Sequence, residues 1–345
     1  MRRDAAPSPL IDPAFAGSAA GWRVHAPGRL HLGFLDPSAT LGRRFGSLGL
    51  VVEGFETIVD LRPARRDVSS ATGPDESTEL PRALAHLETL RGISGRRDPL
   101  DLHIAQVLPA HAGFGSGTQL ALAVGHAFCR LHDLRYASSE LARLLGRGQR
   151  SGVGIAGFDR GGLLLDGGPR ADGTPAPLIS RLALPPQWRV LLVLDPRRRG
   201  LSGAGEKAAL ARLAPLPREA AAEVCHEVLM RVLPGAAAGE FDAFALGLSR
   251  MQAILGGHFA PAQDGSAFAS AAVRRAIEAV AAHTPAAIGQ SSWGPTGFAV
   301  LPSSAAAEAA LAAARAAGAV DAALAVHVVR SRDHGASITA LAPAP

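Results

Sequence analysis

The stretch 108–125, LPAHAGFGSGTQLALAVG, constrains this chain more than any other. Pro109 ends the strand-like run 102–107. Gly113, Gly115 and Gly117 then permit backbone conformations and close approaches that a side chain would block. From Thr118 the pattern turns helical, with Leu120, Leu122, Ala123 and Val124 as the apolar face. A helix that begins in such a turn carries unpaired amide groups and partial positive charge at its mouth, and Ser116 and Thr118 add hydroxyls. A phosphate fits there. A glycine-rich turn that merely caps a buried helix would read the same way.

The remaining composition narrows the class. The 345 residues suffice for two domains or one large one, and 48% hydrophobic content supplies a core. The formal charge of +5 suits an anionic small substrate without requiring one. Lysine occurs once, at Lys207, and every other basic side chain is arginine, so a single arginine carries little weight. No basic block is interleaved with aromatics, which argues against nucleic acid as a partner. No apolar run is long enough to span a membrane. Residues 1–21 lack the continuous apolar core of a signal peptide and read as a flexible leader. Cys129 and Cys225 sit in helix-like segments, as buried thiols in a reducing compartment do. The expectation is a cytoplasmic protein.

Taken in order, 22–26, 30–35, 46–52 and 57–61 read as strands of a β-rich first block. A polar connection, 62–75, leads to a helix over 79–91 and a strand at 102–107. Ser138 or Ser139 is placed to cap a short helix over 140–146. The run 188–194, WRVLLVL, is a buried strand. Alanine-rich helices follow at 204–213, 218–232, 239–255 and 266–282. Strand pairs 286–290 with 297–301, and 324–330 with 336–341, flank a helix at 304–317. Strands alternating with helices make an α+β fold. A change of texture near 185 divides 22–185 from 186–345, and the alanine-rich helices of the second part offer a face for a homodimer.

Three further constellations could carry chemistry. In 26–36, APGRLHLGFLD, alternation puts Arg29, His31 and Gly33 on one side and Leu30, Leu32 and Phe34 on the other. Arg29 could grip a phosphate or carboxylate bidentately and His31 could shuttle a proton, or both could lie on a solvated strand face. In 146–168, nine glycines accompany the cations Arg147, Arg150 and Arg160 and the anions Asp159 and Asp166. Such a stretch could wrap a polyanion, with Asp159 helping to hold a divalent metal, or be a flexible surface loop. In 288–301 a polar tip, Gln290, Ser291, Ser292 and Trp293, could orient a ring or a sugar, or simply close a hairpin. His111 could bond a phosphate or cap its loop. No G-x-x-x-x-G-K-[ST] loop, no G-x-S-x-G elbow and no cluster with metal-ligand spacing is present.

These four stretches, in this order, resemble the GHMP kinase superfamily. Pro109-Ala110-His111-Ala112-Gly113-Phe114-Gly115-Ser116-Gly117-Thr118-Gln119 is similar to its central motif P-x-x-x-G-L-G-S-S-x-A, with Gly117 replacing the second serine. Ala26-Pro27-Gly28-Arg29 is similar to its opening A-P-G-K/R, and the Gly289 region falls where a third, glycine-rich motif stands. The resemblance spans about 22–340 and implies a GHMP-kinase-like two-domain fold, an S5-like N-terminal domain followed by a ferredoxin-like C-terminal one. One departure matters. The kinases carry S-G-x-D, whose aspartate acts on the hydroxyl that receives phosphate; here Ser151-Gly152-Val153 is followed by Gly154.

The words GRLHLGFLD, GFGSGTQ, GFDRGG and GQSSWGPTGFA resemble the β-ribofuranosylaminobenzene 5′-phosphate synthase branch. That resemblance implies reaction of phosphoribosyl diphosphate with 4-aminobenzoate or 4-hydroxybenzoate, releasing diphosphate and carbon dioxide, in tetrahydromethanopterin biosynthesis. It implies phosphate binding by Gly113, Gly115, Ser116, Gly117 and Thr118. Catalytic roles fall to Arg29, His31, Arg150 and Ser292, and substrate contacts to His111, Arg160, Gln290, Ser291 and Trp293. Mg²⁺ or another divalent cation is expected, with Asp159 as its protein ligand. Two rivals remain at this point: an ATP-dependent small-molecule kinase, and a non-catalytic ligand-binding descendant.

Overall fold

A computed structural model describes residues 20–201 and 203–342; the leader expected over 1–21 lies almost entirely outside them. The first part runs β1 (Trp22–Asp36), β2 (Phe45–Pro63), β3 (Val68–Ala71), α1 (Pro74–Ser94), β4 (Leu100–Gln106), α2 (Ser116–Leu131), α3 (Ser138–Leu144), α4 (Val153–Arg160), β5 (Leu163–Asp166) and β6 (Leu178–Leu182). The second runs β7 (Arg189–Leu194), α5 (Gly203–Arg212), α6 (Arg218–Glu227), α7 (Leu233–Ala238), α8 (Phe241–Phe259), α9 (Ala271–His283), β8 (Ala287–Gln290), β9 (Gly297–Leu301), α10 (Ser304–Ala316), β10 (Ala325–Val329) and β11 (Ser337–Ala340). A π-helical stretch, Val228–Val232, joins α6 to α7.

Two sheets result. One has seven strands, in order β11-β1-β2-β4-β3, with β5 and β6 continuing from β2. The other is β10-β7-β9-β8, antiparallel throughout. The four strands expected near the N-terminus are two long ones. Pro27-Gly28 does not end a strand but bulges it, because the register of β1 on β2 shifts there and again between His31 and Gly33. The connection expected over 62–75 contains β3, paired parallel to β4. The pairing expected between 324–330 and 336–341 does not form: β10 joins β7, whereas β11 crosses back to β1. Both segments are short and amphipathic, so alternation marks them as strands but does not choose their partners.

The core explains where a site can lie. Alternation along β7 and β9 sends Val190, Leu192, Phe298 and Val300 into one cluster and Leu191, Val193, Ala299 and Leu301 into another. The second cluster packs under α9 and α10. The first is shared with Leu30, Leu32, Leu48 and Leu50 of β1 and β2 and with α6 and α8, so one apolar mass bridges the two sheets. A separate cluster holds α1 and α2 against β1, β2 and β4. Loops from both sheets meet along a seam beside this shared core.

Candidate active site

At the seam is a cleft of about 650 Å³. Its floor is the mouth of α2. Gly115 is the N-cap with φ 77°, no side chain caps the helix, and the first amides open towards the cleft past Ser116, Gly117 and Thr118. Gly113 is required by a close approach: a Cβ there would stand 2.6 Å from the Ser291 carbonyl oxygen. The Ser291 hydroxyl donates to the Gly113 carbonyl at 2.9 Å and accepts from the His31 amide at 2.9 Å. Ser291 is thus a fully buried clamp between the three motifs and does not line the cleft.

Five cations line the cleft: Arg29, Arg82, Arg147, Arg150 and Lys207. Glu206 is the one carboxylate among the described lining residues. Arg29 donates to the Gly113 carbonyl at 2.8 Å. Burial pushes its guanidinium down to about 10, partly offset by Glu206, so it remains charged at neutral pH. Arg150 donates to Glu206 at 2.6 Å, and the Trp293 indole donates to the same carboxylate at 3.1 Å. Burial, then the neighbouring Arg82, lowers the pKa of Arg147, with Glu79 offsetting part of the shift. Arg29 Nε, Arg147 Nε and Arg150 Nη1 are buried N–H donors with no partner. Orphaned donors of this kind are uncommon in folded proteins and call for an acceptor.

The structure places His111, Ser292 and Trp293 on the same cleft. It separates Gln290, whose amide is consumed by the Ala269 amide, Gln263 and the Ser292 carbonyl. His31 lies behind Trp293 in a second, smaller pocket of about 40 Å³. Asp159 and Arg160 are not brought to the cleft. They sit exposed at the C-terminal end of α4, where the Asp159 carboxylate accepts the Ser138 hydroxyl. The glycine-rich stretch 146–168 is no loop, since it contains α4 and β5. Asp166 organises it: the carboxylate is fully buried and accepts the Gly152 amide at 2.7 Å and the Gly168 amide at 2.8 Å. Ser138 likewise does not cap α3, whose N-cap is Ala137. The alternation read on β1 breaks at its second bulge, so Phe34 lines the smaller pocket beside His31, with ring centroids 4.6 Å apart.

Sequence reasoning missed Arg82, Lys207 and Glu206, which stand on helices far from the glycine motifs. A Cβ on Gly117 would lie 2.5 Å from Arg82 Nη2 and 3.2 Å from Arg147 Nη1, so guanidinium groups occupy the space of the serine absent at this position. At Gly154 a Cβ would meet the Thr118 methyl at 3.3 Å, and the Gly154 carbonyl accepts the Gln119 amide.

Comparison with known proteins identifies the fold and the family. Residues 80–162 match the GHMP kinases N terminal domain and residues 232–320 the GHMP kinases C terminal domain. A homoserine kinase from Cytophaga hutchinsonii superposes with a TM-score of 0.65 at 17% identity, covering 95% of this chain and 100% of that one. Phosphomevalonate kinase from Streptococcus pneumoniae superposes with a TM-score of 0.65 at 13% identity over 89% and 98% of the two chains. In sequence, a β-ribofuranosylphenol 5′-phosphate synthase of Archaeoglobus fulgidus is 31% identical over 298 residues, 82% of this chain and 88% of the relative. The protein of the same name from Methanothermobacter thermautotrophicus is 29% identical over 66% of this chain and 74% of its own length. On this likeness to the Archaeoglobus fulgidus protein, carried on the GHMP fold, the chain belongs to the β-ribofuranosylphenol 5′-phosphate synthase family.

Proposed function

We propose that the protein transfers the ribosyl 5′-phosphate of phosphoribosyl diphosphate to the carboxylated carbon of a para-substituted benzoate, with loss of diphosphate and carbon dioxide. The observation that carries this reading is the set of orphaned guanidinium donors around the uncapped mouth of α2. When the bond from the anomeric carbon to diphosphate breaks, its electron pair leaves with the diphosphate. Preorganised N–H donors and cations there stabilise that departing charge more than they stabilise the ground state. The ring carbon supplies the new carbon–carbon bond, and departure of carbon dioxide returns an electron pair to the ring. No step requires a base to activate an alcohol, which accords with Gly154. A product named as a phenol corresponds to 4-hydroxybenzoate as acceptor, and an aniline product to 4-aminobenzoate. The supporting likeness is to relatives named for the phenol. The reaction then belongs to tetrahydromethanopterin biosynthesis, carried out in the cytoplasm.

The described residues fit a divalent cation only as a companion of the donor. No group of three His, Cys, Asp or Glu side chains among them could hold a metal. Asp159 does not line the cleft, and Glu206 is the one carboxylate among the described residues that do. Mg²⁺ is usually held by one or two carboxylates plus substrate phosphates, and Glu206 would serve as one by exchanging its bonds to Arg150 and the Trp293 indole. The ion would add positive charge beside the leaving group.

No described helix is long and apolar enough to cross a membrane. Leu229, Met230 and Leu246 are exposed on the α6–α8 layer, and we assign this apolar face to a homodimer contact, testable by sedimentation across a concentration series. The function is tested by incubating the protein with phosphoribosyl diphosphate, 4-hydroxybenzoate or 4-aminobenzoate, and Mg²⁺. Stoichiometric carbon dioxide and diphosphate are expected. ATP hydrolysis dependent on an added alcohol would instead establish a kinase, and binding without turnover a ligand sensor.

A further inference from the structure

The pocket behind Trp293 is separate in character from the cleft. Phe34, Leu255, Phe259 and Trp293 give it apolar walls, and Phe259 and Trp293 stand edge to face with centroids 5.0 Å apart. Ser292 and Trp293 line both spaces, so the pocket opens where the cleft ends. One polar group in it is unpaired: His31 is 5% exposed and its Nε2 has no partner. With the ring neutral, the tautomer that carries its proton on Nδ1 leaves the buried Nε2 a bare acceptor. At about 40 Å³ the pocket is too small for a whole aromatic ring and large enough for its leading edge.

Resting on the synthase reading, we propose that this pocket is the subsite for the para substituent of the acceptor, and that His31 Nε2 accepts the hydrogen bond from its hydroxyl or amino group. The carboxylated carbon, at the other end of the ring, then remains in the cleft beside the anomeric carbon. The placement explains a chemical need. As the ring carbon bonds to the sugar, electron density is drawn from the para oxygen and its O–H becomes strongly acidic. Nε2 takes that proton, leaving a neutral dienone. The carbon–carbon bond to the carboxylate then breaks, its electron pair restores the aromatic ring as a phenolate, and the proton returns from His31 to the oxygen. Burial, with Arg29 and Arg150 nearby, pushes the imidazole down to about 3, so it is neutral when the acceptor arrives and releases the proton readily afterwards.

Two substitutions test this. His31→Phe removes the acceptor atom. Ala267→Leu narrows the pocket from a half-exposed wall and leaves His31 in place. Affinity and KM for 4-hydroxybenzoate should each worsen about tenfold or more in both variants, while affinity for phosphoribosyl diphosphate changes by less than about twofold. His31→Gln, which retains an acceptor, should recover part of the loss. Wild-type turnover with acceptor affinity unchanged in both variants, or with donor affinity falling in parallel, overturns the subsite. A wild-type protein that binds neither substrate overturns the synthase reading and the subsite together.

Discussion

Arg29 and His31 are two residues apart on one strand, yet they serve opposite environments. Arg29 stays a cation in a cleft with five positive side chains and one negative one. His31 is held neutral in a pocket walled by aromatic rings. Ser292 and Trp293 line both spaces and mark the boundary between them. A cation-lined cleft thus adjoins a pocket with no Asp, Glu, Lys or Arg among its described lining residues.

The sharpest way to break this contrast is Arg29→Ala. It should cost about 10²–10³-fold in kcat/KM and leave thermal stability near wild type, and Arg29→Lys should restore only part of the loss, since a point charge cannot replace the planar fork. Rates within twofold of wild type in the alanine variant would remove Arg29 from the cleft's work.

Gly117→Ser, which restores the serine of the kinase motif, comes next. Its side chain would displace the flexible ends of Arg82 and Arg147 rather than backbone. Donor affinity should fall roughly tenfold, the cost of about one charge-assisted hydrogen bond, with acceptor affinity unchanged. Calorimetric titration of each substrate separately reads the two effects. Gly154→Asp should lower synthase activity by crowding Thr118 and should produce no alcohol phosphorylation with ATP; any phosphorylated alcohol would show that the missing carboxylate is all that separates this site from a kinase.

Smaller effects separate the compartments by their physics. Raising ionic strength from 0.05 to 0.5 M, on the order of a threefold drop in screening length, should weaken binding of the polyanionic donor more steeply than binding of the singly charged acceptor. Acid should act on stability through the buried histidines. His31, His86 and His126 have folded pKa values pushed down, mainly by burial, to about 3, 4 and 4. Above the unfolded value near 6.5 they are neutral in both states. As pH falls below it, the unfolded chain takes up protons that the folded one refuses, so the melting temperature should decline between pH 6.5 and 4. A melting temperature constant over that interval would mean these rings are solvated.

How much of this was legible in the sequence depended on range. The α2 mouth is local: three glycines, two hydroxyls and an apolar face within eighteen residues, and its structure follows from them. The GHMP fold was legible for the same reason, through ordered local motifs. Arg82 and Glu206 carried no local signal, because an arginine on a helix face and a glutamate in an alanine-rich helix have no feature until the sheets bring them together. Asp159 misled because a carboxylate within a glycine-rich stretch looks like a ligand. That stretch folds as a helix, and helical geometry sends residue 159 to the end remote from residue 152. β10 and β11 misled because short strands reveal their faces and not their partners.

A crystal structure with phosphoribosyl diphosphate bound tests the central claim most directly. The account predicts phosphate oxygens within hydrogen-bonding distance of the amides at residues 116 and 117 and of the Arg29 guanidinium, with the anomeric carbon facing Ser292 and Trp293. A donor seated away from residues 113–118, or a carboxylate from elsewhere in the chain beside Gly154, would contradict it.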